Sequence, residues 1–182
     1  MLSAHDHVKR SPGSASDIQQ SQSGPGSIIR LATRDDFNII MKIENTCFPG
    51  DLAYSRQQMR HLLYKANSAT LVEVSGETIT GYVTALFRNR SNVAGVETIG
   101  VSPDARGQGV GKRLLSAAEQ HMVKKGVSMS RLEVSSGNKN AISMYTKAGY
   151  DISRVNPEFY IHEHHGTREA YTMHKKLETA SP

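Results

Sequence analysis

The sequence predicts a single domain of the mixed α/β class. The first observation is the order of its periodic segments, which read as β-α-α-β-β-β-α-β-α-β-β. The second is its composition: 182 residues, 37% of them hydrophobic and 21% charged, can build one sizeable core. The helical crossovers of the second half predict parallel neighbours among the strands 93–101, 129–135 and 150–155, after an antiparallel meander.

We expect the domain to cover residues 28–177. Residues 1–27 are rich in Ser, Gly, Gln and Pro. They bury too little apolar surface to offset the entropy of ordering, so we interpret them as a disordered tail. Residues 178–182 are interpreted as a flexible C-terminus. A first short strand is predicted at 27–31, where the tail meets the domain.

The first half of the domain is predicted to contain two helices and a meander. Asp35 and Asp36 favour a helix start because acidic groups stabilise the positive end of the helix dipole, and Pro49-Gly50 ends that helix. A second helix begins near Ser55. Runs of β-branched and apolar residues then predict strands at 69–74, 78–87 and 93–101, the first two joined by a turn at 75–77.

The second half alternates helices with strands. Apolar residues recur at helical spacing from Gly109 to Lys125, and Gly126 ends that helix. The remaining predicted elements are a strand at 129–135, a helix at 138–147 that stops before Gly149, and strands at 150–155 and 169–176.

The charge of the chain is uneven. Its formal net charge is +5, and the window 101–131 alone holds six basic and two acidic residues, a net charge of +4. This concentration indicates a polyanionic ligand, although a charge run is more often a solvated helix face. The single cysteine, Cys47, excludes an internal disulfide framework and a Cys-only metal cluster. The sequence shows no apolar run of membrane-spanning length and no signal-peptide core, so we expect a cytoplasmic protein.

A glycine-rich loop lies inside this window. Residues 106–112 read Arg-Gly-Gln-Gly-Val-Gly-Lys between a predicted strand and a predicted helix. Alternate glycines let successive N–H groups point at one anion beside the helix N-terminus, and Arg106, Lys112 and Arg113 could add charge for phosphates. The spacing fails the Walker A pattern, because Gly111-Lys112 is preceded by no matching glycine, and it fails the dinucleotide fingerprint.

The loop and the helix after it resemble the GNAT N-acetyltransferases. The string Val-x-Pro followed by Arg-Gly-x-Gly-x-Gly matches that family's acetyl-CoA signature, and 138–150 matches its Asn-x-x-Ala-x-x-x-Tyr-x-x-x-Gly-Tyr block. The resemblance implies the GNAT fold, a mostly antiparallel sheet with a splayed parallel central pair flanked by helices. It assigns acetyl-CoA binding to Ile99, Gly100, Val101, Arg106, Gly107, Gln108, Gly109, Val110, Gly111, Lys112 and Asn138.

Within this family the chain looks most like the RimI-type ribosomal-protein alanine N-acetyltransferases. Their Leu-Glu-Val strand matches 132–134, with Glu133 as general base, and their tyrosine twelve residues later matches Tyr145, which would protonate the departing thiolate. From strand alternation alone, Glu133 could instead form an ion pair with Arg131. Glu97, on the preceding predicted strand, is the rival base.

The resemblance is weaker among the residues that would bind the acceptor substrate. Phe48 and Tyr160 are its candidate substrate-binding residues, while Phe159 replaces the first tyrosine of the usual pair. The segment 162–165, His-Glu-His-His, also departs from the subgroup. Two of its histidines could converge on a metal, but a solvated loop over the substrate cleft is the better interpretation, and we expect no metal.

The resemblance implies an enzyme that transfers acetyl from acetyl-CoA to a primary amine by direct attack in a ternary complex, with the Val101 N–H polarising the thioester. The N-terminal α-amine of a protein or peptide is the leading acceptor. The alternatives are a small amine, such as a polyamine, amino acid or aminoglycoside, and a non-catalytic acyl-CoA-binding module. We expect a monomer or homodimer without nucleic-acid or membrane partners, and no acetyl-cysteine intermediate on Cys47.

Overall fold

The computed structural model describes residues 26–48 and 50–178, without the side chain of Asp51. Almost all of the predicted tail, and the chain after residue 178, lie outside these described residues. The helices and strands follow the predicted order. They are β1 (Ser27–Leu31), α1 (Phe37–Cys47), α2 (Arg56–Tyr64), β2 (Ser68–Ser75), β3 (Thr78–Phe87), β4 (Val93–Val101), α3 (Val110–Lys124), β5 (Met129–Ser135), α4 (Lys139–Lys147), β6 (Asp151–Asn156) and β7 (Ala170–Lys176).

Local chemistry explains several of these boundaries. Ser55 caps α2 in a capping box, in which its hydroxyl accepts from the Gln58 N–H and the Gln58 side chain accepts from the Ser55 N–H. Asn138 caps α4 by accepting from the Ala141 N–H at 3.1 Å. Two short 3-10 turns, at Gly50–Leu52 and Pro103–Ala105, add to the predicted elements.

The seven strands form one mixed sheet in the order β1-β2-β3-β4-β5-β7-β6. The meander β1 to β4 is antiparallel and β4 pairs with β5 in parallel, as predicted. The prediction that β6 neighbours β5 is wrong, because β7 lies between them and pairs antiparallel with both. The reason is polarity: β6 carries Asp, Ser, Arg and Asn on both faces and is mostly exposed, which suits an edge, whereas β7 contributes the fully buried Met173.

The two faces of the sheet are covered by different helices. On one face α3 and α4 bury a cluster that includes Leu114, Leu132 and Met173, all no more than 1% exposed. On the other face α1 and α2 bury a smaller cluster around Ile40 and Met59, both fully buried. Burial of such side chains stabilises the fold by about 1.5–3 kcal/mol each. No helix among residues 26–48 and 50–178 is long and apolar enough to cross a membrane.

Candidate active site

A cavity opens where the two central strands separate. Parallel pairing of β4 with β5 covers only Val93–Val96, because the last paired residues are Val96 and Leu132. On its other edge β4 has a bulge: Val96 and Thr98 oppose consecutive residues of β3, so Glu97 is the extra residue. Beyond this point the strands enclose a cavity of about 290 Å³, lined by both strands, α1, α4 and the loop between β6 and β7.

The cavity wall combines carboxylates with aromatic hydroxyls. The structure brings both candidate bases and the candidate acid into this one cavity. Its polar lining includes Glu44, Tyr54, Glu97, Glu133, Asn138, Tyr145, Tyr160 and His164. Such a set can accept a proton from an amine on one side and hold a proton for a leaving group on the other.

Glu133 lies in β5 with its side chain 26% exposed. Its Oε1 atom accepts a hydrogen bond from the Arg131 guanidinium and lies 3.5 Å from the Thr172 hydroxyl. The ion pair considered in the sequence analysis is therefore formed. Among the described residues, both of these contacts are made by the Oε1 atom of Glu133, so its Oε2 atom does not take part in the ion pair. Oε2 is the oxygen that could accept a proton from a bound amine.

Glu97 is exposed and accepts a hydrogen bond from the Tyr54 hydroxyl at 2.6 Å. Burial of Tyr54 and the Glu97 charge together raise the pKa of that phenol. The Tyr54 backbone N–H donates to Glu44 at 2.9 Å, so the segment between α1 and α2 is attached to the cavity wall through two carboxylates.

Glu44 is a third carboxylate, to which the sequence analysis gave no role. It is 1% exposed, it accepts a hydrogen bond from the Tyr82 hydroxyl, and burial raises its pKa. A sequence signal for it existed. Phe37, Ile40 and Glu44 share one face of α1, and a carboxylate on an apolar helix face requires a specific partner.

Tyr145 lies in α4 and is 5% exposed. Its ring centroid is 5.8 Å from that of Tyr150, and the two rings are tilted by 60°. Burial, with a smaller effect from the neighbouring Tyr160, raises the pKa of the Tyr145 phenol. The hydroxyl therefore keeps its proton at neutral pH, which a general acid requires.

The glycine loop forms the turn between β4 and α3. Gly107 and Gly109 have φ values of +76° and +77°, a region that side chains rarely adopt. Gly109 caps α3 without a side-chain hydrogen bond, so the first N–H groups of the helix remain available for an anion. A Cβ at Gly111 would lie 3.1 Å from the Met144 sulfur, so only glycine lets the loop approach α4 without displacing that side chain.

The end of β4 presents one edge to the cavity. The Ser102 N–H donates to Thr80 of β3 at 2.9 Å. Backbone groups alternate along a strand, so those of Ile99 and Val101 point to the other edge, which borders the cavity. The Val101 carbonyl accepts from the Cys47 thiol at 3.3 Å. The Arg106 Nε also lies 3.4 Å from this carbonyl, so an extended arm of a ligand could pair with the edge as an added strand through the Ile99 groups and the Val101 N–H.

The six basic residues of the 101–131 window divide among different places. Two pair with carboxylates outside the window: Arg113 with Glu73, and Arg131 with Glu133. Two lie at the other end of α3: Lys124 and Lys125. The two beside the glycines are Arg106 and Lys112. Because Arg113 is paired with Glu73, a phosphate contact by Arg113 is not supported. The interpretation of the charge as a site for a polyanionic ligand therefore applies to two of the six basic residues, Arg106 and Lys112.

The loop between β6 and β7 covers one end of the cavity. Phe159 and Tyr160 line it together with Phe48 of the α1–α2 segment. In the 162–165 segment His164 is half-buried and lines the cavity, while the other three residues are exposed. No three His, Cys, Asp or Glu side chains of the described residues are arranged to hold a metal ion. The expected absence of a metal stays a prediction.

Replacing Gly137 by Ala is expected to displace this loop. The Ser135 hydroxyl donates to the His164 carbonyl at 2.7 Å, and a Cβ at Gly137 would collide with the His165 carbonyl oxygen. Overpacking of this kind costs about 1–3 kcal/mol, so we expect chemical denaturation to show a loss of that size, together with a higher KM for the acceptor. Gly95→Ala, whose Cβ would meet nothing closer than 3.9 Å, is the matched control. Wild-type stability and kinetics in Gly137→Ala would contradict the loop contact.

Comparisons with known proteins agree with this geometry. The sequence pattern described as the Acetyltransferase (GNAT) family matches residues 37–150. An uncharacterised N-acetyltransferase of Methanocaldococcus jannaschii is 29% identical over 140 residues, which cover 70% of this chain and 62% of that protein. An uncharacterised protein of Mycobacterium leprae is 27% identical over 135 residues, covering 73% of this chain and 37% of that protein. The chain thus spans less than two thirds of the length of either relative.

Solved structures share the fold. The ribosomal-protein-S18-alanine N-acetyltransferase from Escherichia coli superposes with a TM-score of 0.75 at 20% identity, covering 85% of this chain and 96% of that one. At this identity the likeness shows the arrangement of the sheet and helices. It does not extend to the acceptor.

Proposed function

Because the chain belongs to the acetyltransferase (GNAT) family, we propose that it transfers an acetyl group from acetyl-CoA to a primary amine, namely the N-terminal α-amine of a protein or peptide. One observation carries the proposal. Two candidate bases and a buried tyrosine line the same cavity, which begins where β4 and β5 stop pairing. We further propose that the protein acts in the cytoplasm, as a monomer or homodimer.

Acetyl-CoA supplies the activated acetyl group as co-substrate. In the proposal the 106–112 loop, with Arg106 and Lys112, holds its pyrophosphate, and the edge Ile99–Val101 holds its pantetheine arm. Asn138 contributes a further polar contact beside the α4 N-terminus. The positive φ values of the loop and its uncapped helix start fit a phosphate group, because such N–H groups favour anions.

The proton transfers are assigned to residues of the chain. Glu133, directly or through a water molecule, takes one proton from the acceptor ammonium and so exposes the nitrogen lone pair. The Val101 N–H stabilises the charge that develops on the thioester oxygen while the C–N bond forms and the C–S bond breaks. Tyr145 gives its proton to the departing sulfur. As the amide forms, the nitrogen loses its second proton, which restores the Tyr145 phenol, and Glu133 releases its own proton to solvent. The products are the acetylated amine and the free thiol.

An apolar rim supports a peptide acceptor. Phe159 lines the cavity and is 49% exposed, and Ile161, two residues later, is 84% exposed; a contiguous exposed apolar patch is typical of a binding surface. The side chains that follow a peptide's N-terminus would meet this rim. A lone ammonium would use only the carboxylates beneath it.

A small cationic amine is the second candidate acceptor. Glu44, Glu97 and Glu133 place three carboxylates in one cavity, and such a set attracts a ligand with more than one positive charge. The third alternative, a non-catalytic acyl-CoA-binding module, is less well supported, because it gives the buried Tyr145 hydroxyl no role.

A panel of acceptors tests the proposal. We expect acetyl transfer to peptides with a free N-terminus, followed by mass spectrometry, and no transfer to the same peptides with a blocked N-terminus. Polyamines, free amino acids and aminoglycosides form the comparison set. Acetylation of members of that set but of no peptide would reject the peptide acceptor, and binding of acetyl-CoA without turnover on any acceptor would favour the non-catalytic module.

A further inference from the structure

Arg113 lies between a buried carboxylate and the glycine loop. Its Nε and Nη2 atoms donate to the two carboxylate oxygens of Glu73, at 3.0 and 2.6 Å, and Glu73 is 1% exposed inside β2. Its remaining terminal nitrogen, Nη1, donates to the Gln108 carbonyl at 2.7 Å. One guanidinium therefore connects the sheet to the loop between Gly107 and Gly109.

This contact sets the direction of a loop N–H. In a trans peptide unit the C=O and N–H bonds point in opposite directions. Because Arg113 holds the Gln108 oxygen, the Gly109 N–H of the same peptide unit points away from Arg113. A Cβ at Gly109 would approach the Arg113 Nη1 atom to 3.1 Å, so glycine at this position also allows the close approach. The ion pair thus selects the loop conformation in which this donor is free for a ligand.

Stability alone does not account for such a pair. A buried ion pair is on average no more stabilising than well-packed apolar side chains in its place, because both charges lose hydration. The ladder between β2 and β3 is irregular beside this carboxylate: Thr80 of β3 is the extra residue, and its hydroxyl donates to the Glu73 carbonyl at 3.2 Å. The carboxylate places one guanidinium against the Gln108 carbonyl of the loop.

We propose that Glu73 and Arg113 are positioning residues that preorganise the 106–112 loop for the pyrophosphate of acetyl-CoA without contacting it. The inference rests on the proposed function, since it requires that this loop holds the pyrophosphate. Without the pair, the loop would sample other conformations. The affinity for coenzyme A would then fall in proportion to the fraction of molecules whose loop has the binding conformation.

The test compares two probes by calorimetry: coenzyme A, and pantetheine, which lacks the pyrophosphate. We expect Glu73→Met combined with Arg113→Met to bind coenzyme A about tenfold more weakly than wild type, with pantetheine affinity unchanged. The double variant removes both charges, so it avoids leaving an unpaired buried ion. Arg113→Lys keeps the charge but cannot make the three contacts, and it should weaken coenzyme A binding in the same direction.

Arg30→Met combined with Asp36→Met is the matched control. Arg30 pairs with the buried Asp36 through two nitrogens, at 2.6 and 2.9 Å. The pair lies at the start of α1, on the face of the sheet that α3 does not cover. Its loss should lower stability without changing the ratio of the two probe affinities.

The outcomes separate the inference from the proposed function. If Glu73→Gln weakens coenzyme A binding, Arg113 acts through the loop as proposed. If Glu73→Gln tightens it, a released Arg113 contacts the phosphates directly and the inference is overturned. Unchanged coenzyme A affinity in the double variant also overturns it. Failure of the wild-type protein to bind coenzyme A at all would instead refute the proposed function.

Discussion

Glu133→Gln is expected to lower kcat by about 10²- to 10³-fold while leaving the KM for acetyl-CoA close to its wild-type value. The substitution keeps the shape of the side chain and removes its ability to accept a proton. The acceptor ammonium would then lose its proton only to solvent. The measurement is steady-state release of the thiol product at saturating acetyl-CoA, with a peptide acceptor.

Glu97→Gln is the matched comparison, since both carboxylates line the same cavity and each has one strong partner. We expect a much smaller loss of kcat, because Glu97 is exposed and held by the Tyr54 hydroxyl. The reverse pattern would transfer the base role to Glu97.

Tyr145→Phe is expected to lower kcat by about 10²-fold with acetyl-CoA binding intact. The ring and its contact with Tyr150 are kept, and only the buried hydroxyl is lost. A thiolate that receives no proton is a poor leaving group at the moment of C–S cleavage. Acetyl thioesters of more acidic thiols need less protonation, so the loss should shrink when such a donor replaces acetyl-CoA.

Tyr150→Phe controls for the removal of a buried phenol. Its hydroxyl donates to the Ser130 hydroxyl at 2.7 Å, inside the core. The loss of that hydrogen bond should cost stability, by about 1 kcal/mol, without lowering kcat. If Tyr145→Phe and Tyr150→Phe lose kcat equally, Tyr145 does not take part in the proton transfer. The same conclusion would follow if Tyr145→Phe lowered kcat by the same factor with every acetyl thioester.

Local signals in the sequence account for most of the fold. The period of apolar residues, the Ser55 capping box and the turn-forming glycines each depend on residues within one helical turn or one hairpin, and each predicted helix and strand is present. The place of β7 between β5 and β6 is not a local property, because β6 and β7 both follow α4 and either of them could have paired with β5. Polarity on both faces of β6 was the available signal.

The sequence by itself determined the element order and the glycine loop, because these are patterns of neighbouring residues, and a family resemblance predicted Glu133 and Tyr145 as base and acid. Only the tertiary structure decided which charges neutralise one another. Arg113 is paired with Glu73, 40 residues earlier in the chain, and Glu44 meets Tyr82, 38 residues later. Such partners are chosen by how strands and helices stack. The composition of the 101–131 window could not distinguish the cations beside the glycines from those paired with a carboxylate.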